Sequence, residues 1–104
     1  MARLIWSQPA LFDLEEIVEY IALDSPSAAS RYLREVFRAV VRLKRYPNSG
    51  RQPEELPATP YREVIVPPCR IFYRAEADAV FILHVMRSER LLRSFLLEQR
   101  DHDL

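Results

Sequence analysis

Arginine is the residue type in this chain best suited to do chemistry, and its spacing is ordered. Arg31, Arg34, Arg38, Arg42 and Arg45 recur at intervals of three and four, which at 100° per residue places them in roughly a quarter-turn stripe of a helix. Leu33, Val36, Phe37 and Val40 fall opposite. With that apolar side packed on a core, the guanidinium groups stand in a row about 20 Å long. Guanidinium is planar, permanently charged and able to bond carboxylates or phosphates through two N–H groups at once, so the row suits an acidic partner or phosphates. The alternative is a solvated face offset by glutamates of a neighbouring helix.

A second group, Arg62, Arg70, Arg74, Arg87 and Arg90, lies in the C-terminal half. By strand alternation Arg70, Phe72 and Arg74 share one face, and Cys69, Ile71 and Tyr73 share the other. Two arginines two residues apart on one face repel unless a carboxylate or a bound polyanion lies nearby. Glu63 or Glu76 supplies that carboxylate in a purely structural reading. His84, between Leu83 and Val85, reads as a satisfied half-buried histidine rather than a base. Ser49 lacks the setting of a nucleophile elbow and Ser88 lacks a His-Asp pair, so serine hydrolase chemistry is unsupported. Cys69 is the only cysteine and His84 and His102 are the only histidines, which argues against a disulfide, a metal site or a cofactor.

The elements that position these groups follow from local signals. Met1 to Trp6 reads as a short strand, and Ser7 before Gln8-Pro9 as a helix cap with proline in the first turn. Leu11, Leu14, Ile17, Val18 and Ile21 carry a helix from Pro9 to about Leu23, with Asp13, Glu15, Glu16 and Glu19 on its outer side. Ser25-Pro26 starts a second helix running to about Arg45 and stopping before Pro47. The short link implies an antiparallel helical hairpin. Tyr46 to Gly50 is a turn cluster, and Arg51 to Pro60 a proline- and glutamate-rich loop with room for a short edge segment. Three β-like runs follow: Tyr61 to Val66, ended by Pro67-Pro68, then Cys69 to Ala75 and Ala79 to Arg87, joined by a turn at Glu76-Ala77-Asp78. The tail from Ser88 to Gln99, with Leu91, Leu92, Phe95 and Leu96 at helical spacing, permits a terminal helix. The order β-α-α-β-β-β predicts an α+β domain with the hairpin packed on one face of a small antiparallel sheet.

At 104 residues and 49% apolar content, one domain spanning residues 1–104 with one core is expected. No apolar stretch reaches the roughly 20 residues of a bilayer span, and the opening residues lack a signal-peptide core, so a cytoplasmic protein without membrane association is expected. The zero net charge argues against nucleic-acid binding by bulk attraction, yet the charges are sorted, acidic in the first helix and basic in the second.

Several stretches in this order resemble the RelE/ParE toxin superfamily, and are most similar to ParE-like plasmid-stabilisation toxins. Ile5-Trp6-Ser7-Gln8-Pro9-Ala10 and Asp13-Leu14-Glu15-Glu16-Ile17-Val18-Glu19-Tyr20-Ile21-Ala22 are similar to the family's strand and "D-L-x-x-I-x-x-Y-I-A" helix. Asp24 to Ala29 matches "D-x-P-x-A-A". Leu43, Tyr46-Pro47 and Gly50-Arg51 resemble "L-x-x-x-P-x-x-G-R", Tyr61 to Val66 resembles "R-E-L-x-V", and Arg70-Ile71-Phe72-Tyr73-Arg74 resembles "Y-x-I-x-Y-R".

The resemblance implies a toxin of a type II toxin-antitoxin system, growth arrest as its effect, and a cognate antitoxin that wraps across it. Operator DNA would be reached only indirectly, through the antitoxin. ParE-like members poison DNA gyrase by binding, which implies no enzyme activity. RelE-like members instead cut mRNA on the ribosome as endoribonucleases. Arg70 stands where the nucleases carry an arginine, and with Arg87 would stabilise transition-state charge on that alternative. Against it, where the nucleases carry lysines or a glutamate after the second helix this chain has the acidic, loop-like Gln52-Pro53-Glu54-Glu55, and Glu54 or Glu55 would serve as a base only if the loop folded over Arg70. The helical hairpin resembles ParE more closely.

Overall fold

A computed structural model describes residues 1–104, the side chain of Ser94 excepted. The elements are β1 (Arg3–Trp6), α1 (Gln8–Asp24), α2 (Pro26–Arg42), β2 (Tyr61–Val66), β3 (Cys69–Ala75), β4 (Ala79–Arg87) and α3 (Ser94–His102). Ser7 caps α1, its Oγ accepting from the Ala10 N–H at 3.2 Å. Ser25 serves two helices. Its extended backbone ends α1 while its N–H donates to Ile21 C=O at 3.0 Å, and its Oγ accepts from Ala28 N–H at 3.2 Å to begin α2. Capping both orphaned ends with one residue forces the sharp reversal of the hairpin.

The second helix stops at Arg42, three residues before the expected end. The N–H groups of Leu43, Lys44 and Arg45 turn back to the carbonyls of Val40, Val41 and Arg42, the tighter spacing that closes many helix ends. The freed Lys44 carbonyl accepts from Ala2 N–H at 2.9 Å, pinning the end of α2 to the start of β1. The expected helical position of Arg45 is thereby corrected: it lies in the turn.

The sheet order is β1-β4-β3-β2. The last three strands form the expected antiparallel meander, whereas β1 pairs in parallel with β4, Arg3 opposite Ala79 and Trp6 opposite Ile82. The expected antiparallel sheet is thus the β2-β3-β4 meander, and β1 joins it in parallel to make the whole sheet mixed. The two helices return the chain to the end of the sheet where β1 began, so β2 and, two reversals later, β4 run in β1's direction.

On one face, Ala10, Leu14, Tyr32, Val36 and Val40 of the hairpin pack against Ile71, Tyr73, Val80 and Ile82. Phe37, expected on this apolar side, is 41% exposed, its ring standing edge-on to Trp6 at 5.9 Å. Tyr32 takes the inward position instead and donates its hydroxyl hydrogen to Val66 C=O at 2.7 Å, so its polar end is satisfied in the core.

The opposite face is also covered. Leu56 from the 51–60 loop and Leu92 and Leu97 from the C-terminal segment bury Tyr61, Phe72, Leu83 and Met86. A strand buried on both sides needs near-continuous apolar sequence, which β4 has in Ala79-Val80-Phe81-Ile82-Leu83. The terminal helix begins later than the apolar tail suggested, and Leu91 is 86% exposed while Leu97 is fully buried. Among the described residues no helix is long and apolar enough to cross a membrane.

Candidate target-binding surface

The structure divides the candidate arginines into two populations. On β3, Arg70 points into the second face and is enclosed by carboxylates. Its Nε donates to Glu63 Oε1 at 2.7 Å, and its two terminal nitrogens donate to the oxygens of Glu55 at 2.8 and 2.7 Å. Glu63, itself buried between strands, also accepts from Arg51 Nε at 2.8 Å. The Arg70 guanidinium lies over the Phe72 ring at 4.8 Å. The 51–60 loop thus does fold over Arg70, delivering Glu55 as a fork-to-fork partner. Hydrogen bonds from Arg70 hold the Glu55 carboxyl at about 2 and push the guanidinium above its ordinary value.

The neighbouring arginine is closed in the same way. Arg74 donates to Asp101 Oδ2 and Oδ1 at 2.6 and 3.0 Å and to Glu76 Oε1 at 2.6 Å, with Phe81 stacked against it at 4.7 Å. Both carboxylates considered from sequence, Glu63 and Glu76, therefore serve sheet arginines, while Glu55 and Asp101 were not foreseen as partners. Arg62 donates to Gly50 C=O at 2.8 Å. Arg87 pairs with Glu89 at 2.8 Å near the surface, and Arg90 is exposed.

His84 is a satisfied histidine. Its Nδ1 lies 2.8 Å from Asp13 Oδ2 and its ring stacks on Phe72. Asp13 also accepts from Val85 N–H at 3.1 Å and from Arg100 Nη1 at 2.6 Å. Burial works to raise the Asp13 pKa, but His84, Arg100 and the Val85 amide outweigh it and hold the carboxyl below its usual range. Arg100 and Asp101 are adjacent on α3, so one helical turn clamps the C-terminal segment to both α1 and β3. Beside this clamp, α1 and the segment after β4 enclose a groove of about 770 Å³ in which Glu16 and Tyr20 face Arg87, Arg90 and Leu91.

A pH dependence follows. Glu55 and Asp13 are depressed in the folded state, so the stability they contribute is complete above the unfolded carboxylate values and is lost as pH falls through the folded ones. Unfolding free energy, measured by urea titration, is expected to decline from about pH 5 towards pH 2. Glu55→Gln is expected to flatten part of that slope, and an unchanged slope would contradict the assignment.

The second population is the row on α2. Arg31, Arg34, Arg38 and Arg42 are all exposed, and among the described residues none of them forms an ion pair, with the glutamates of α1 or with any other acid. Arg42 rests over the Tyr46 ring at 5.9 Å. The structure therefore pairs Arg70, Arg74 and Arg87 with carboxylates and leaves the α2 arginines without an acidic partner among the described residues.

Comparison with known proteins places this geometry. The profile of the ParE toxin of the type II toxin-antitoxin system parDE matches residues 4–92. The chain belongs to the ParE toxin family. This ParE-family toxin is 37% identical over 92 residues to "Toxin RelE2" of Caulobacter vibrioides, covering 88% of this chain and all of that one. It is 40% identical over 90 residues to "Putative toxin Y4kP" of Sinorhizobium fredii, covering 85% and 90% of the two chains. Among solved structures it is similar to a chain of the chromosomal ParDE toxin-antitoxin system of P. aeruginosa, with TM-score 0.71, 27% identity, and coverage of 86% and 98%. The ParE profile ends at residue 92, so α3 and its clamp lie beyond the matched region.

Proposed function

We propose that this toxin acts by binding rather than by cleaving RNA, with DNA gyrase as its target and a cognate antitoxin as its neutralising partner. The antitoxin follows from the toxin-antitoxin system that the family's description names. The observation that carries the binding reading is the closure of Arg70. Cleavage of RNA by 2′-hydroxyl attack needs a base, an acid and a charge stabiliser aimed at the phosphate. Arg70 directs its Nε and both terminal nitrogens at carboxylates. Glu55, held at about 2 by Arg70, is a feeble proton acceptor at neutral pH, far from the value that suits a general base. His84 Nδ1 is engaged by Asp13. Among the candidate arginines, those left open to a macromolecular target are the exposed row on α2 and Arg90 at the rim.

Purified toxin, free of antitoxin, is expected to inhibit supercoiling of relaxed plasmid by gyrase at near-stoichiometric amounts and to raise the yield of linear, gyrase-cleaved DNA. Unimpaired supercoiling at large excess, together with ribosome-dependent transcript cleavage in a translating extract, would overturn the proposal in favour of the nuclease alternative that Arg70 and Arg87 represent.

A further inference from the structure

We propose that the outer face of α2 is a docking rail for the phosphate backbone of duplex DNA. The first support is the contrast in pairing: Arg70, Arg74 and Arg87 each have a carboxylate partner, whereas Arg31, Arg34, Arg38 and Arg42 have none among the described residues. Arg3, Arg62 and Arg90 also lack a carboxylate among the described residues, but they stand singly, whereas these four line one face of one helix. Glu35 is the one acid on α2.

The second support is shape. The buried side of α2 is Ala29, Tyr32, Val36 and Val40, and the arginines stand about half a turn away, Arg31, Arg34 and Arg38 on an exposed crest and Arg42 at the edge of a groove beside Ser49, Gly50 and Arg51. From Arg31 to Arg42 the row spans about 16 Å, with steps of about 4.5 to 6 Å. One strand of duplex DNA places a phosphate about every 3.4 Å along its axis, so four guanidiniums meet a run of about five phosphates.

The third support is what the crest lacks. An acidic amphipathic polypeptide needs an apolar seat between its ion pairs. No apolar side chain lies inside the row: Phe37 and Val41 sit on its flank, and Phe37 is already against Trp6. A crest of four arginines, with the one acid Glu35 at its edge, fits a ligand that carries charge along its length, and forked guanidiniums bond phosphate oxygens in pairs. The toxin would then touch DNA itself, beyond the expectation that DNA is reached only through the antitoxin. The glutamates of α1 keep the contact on α2 and hold the affinity modest.

Fluorescence anisotropy of the full chain with a labelled duplex of about 20 base pairs and arbitrary sequence tests this. Four phosphate contacts predict a slope of log K against log salt near −3 to −4, about a hundredfold loss of affinity between about 50 and 200 mM salt. Arg34→Gln and Arg38→Gln are each expected to lower the slope by about one, whereas Arg3→Gln, which removes the same charge from the exposed first residue of β1, leaves it unchanged. Circular dichroism confirms that the variants fold, since surface substitutions of this kind disturb stability little. No binding at low salt, equal sensitivity to Arg3→Gln, or row-dependent binding of polyglutamate with none of the duplex would each overturn the assignment. The test does not involve gyrase, so its failure and failure of the gyrase reading are separable.

Discussion

Arg70→Ala is expected to destabilise the protein by about 3–5 kcal/mol, a large part of the roughly 5–15 kcal/mol available to a domain of this size. The loss comes from what is left behind more than from what is removed. Glu63 has a side chain 1% exposed, and its remaining partner Arg51 is 66% exposed, so a buried carboxylate would be left with one solvent-loosened ion pair. Glu55 would lose its fork and the 51–60 loop its anchor on the sheet. Arg70→Lys is expected to recover little, because an ammonium cannot meet Glu63 and Glu55 in the same plane. Urea unfolding gives the stability and supercoiling inhibition gives the activity. Under conditions where the variant is mostly folded, inhibition per folded molecule should stay within about threefold, less than 1 kcal/mol of binding. A folded Arg70→Ala protein with stability intact and activity gone would mean that Arg70 touches the target.

Gly50→Ala is the second large effect, expected at about 3 kcal/mol. Gly50 is the only glycine in the chain, and it is required for closeness rather than for an unusual backbone angle. A methyl carbon built there would lie 2.6 Å from Tyr73 Oη, 2.7 Å from Tyr73 Cε1 and 2.7 Å from the Glu63 carbonyl. Tyr73 cannot yield easily: it is fully buried, accepts from Gly50 N–H at 2.9 Å and donates to Pro47 C=O at 2.8 Å. Overpacking of about 1–3 kcal/mol therefore adds to the loss of a buried hydroxyl's hydrogen bonds, about 1–3 kcal/mol more if both are broken. The substitutions should be non-additive. Tyr73→Phe alone orphans two backbone groups, but in the double variant one of the three close contacts is gone while those with the ring Cε1 and the Glu63 carbonyl stay, so the pair should lose somewhat less than the sum of the singles. Thermal unfolding of the four proteins checks it; a Gly50→Ala protein as stable as the parent would show that this turn is looser than described.

How far the sequence foretold this structure can be read element by element. Ser7 and Ser25 with their prolines were legible because capping is local chemistry, and both hydroxyls do cap. The three C-terminal strands match their apolar runs to the residue, since Pro67-Pro68 and the Glu76 to Asp78 turn punctuate them. The exposure of the α2 arginines was legible from periodicity, but their lack of partners was not, because periodicity does not say which acids come near. The closure of Arg70 was half visible: Glu63 lies on the adjacent strand, while Glu55 arrives from a loop whose path no local rule sets. The least visible feature was the C-terminal clamp. Asp101 reaches Arg74 across 27 residues of chain and Arg100 reaches Asp13 across 87, and pairings at such separations leave no mark in local pattern. One signal did exist, the unbroken apolar run of β4, which announced a sheet covered on both faces.

The central claim is that the protein arrests its host by holding gyrase, with its sheet arginines structural and no RNA cut. The most direct measurement is made in cells, minutes after the toxin is induced without antitoxin, by following plasmid topology and transcript ends in the same culture. Relaxed and linearised plasmid appearing while transcripts remain whole is the predicted result. Transcripts cut within their coding regions while plasmid stays fully supercoiled would contradict it.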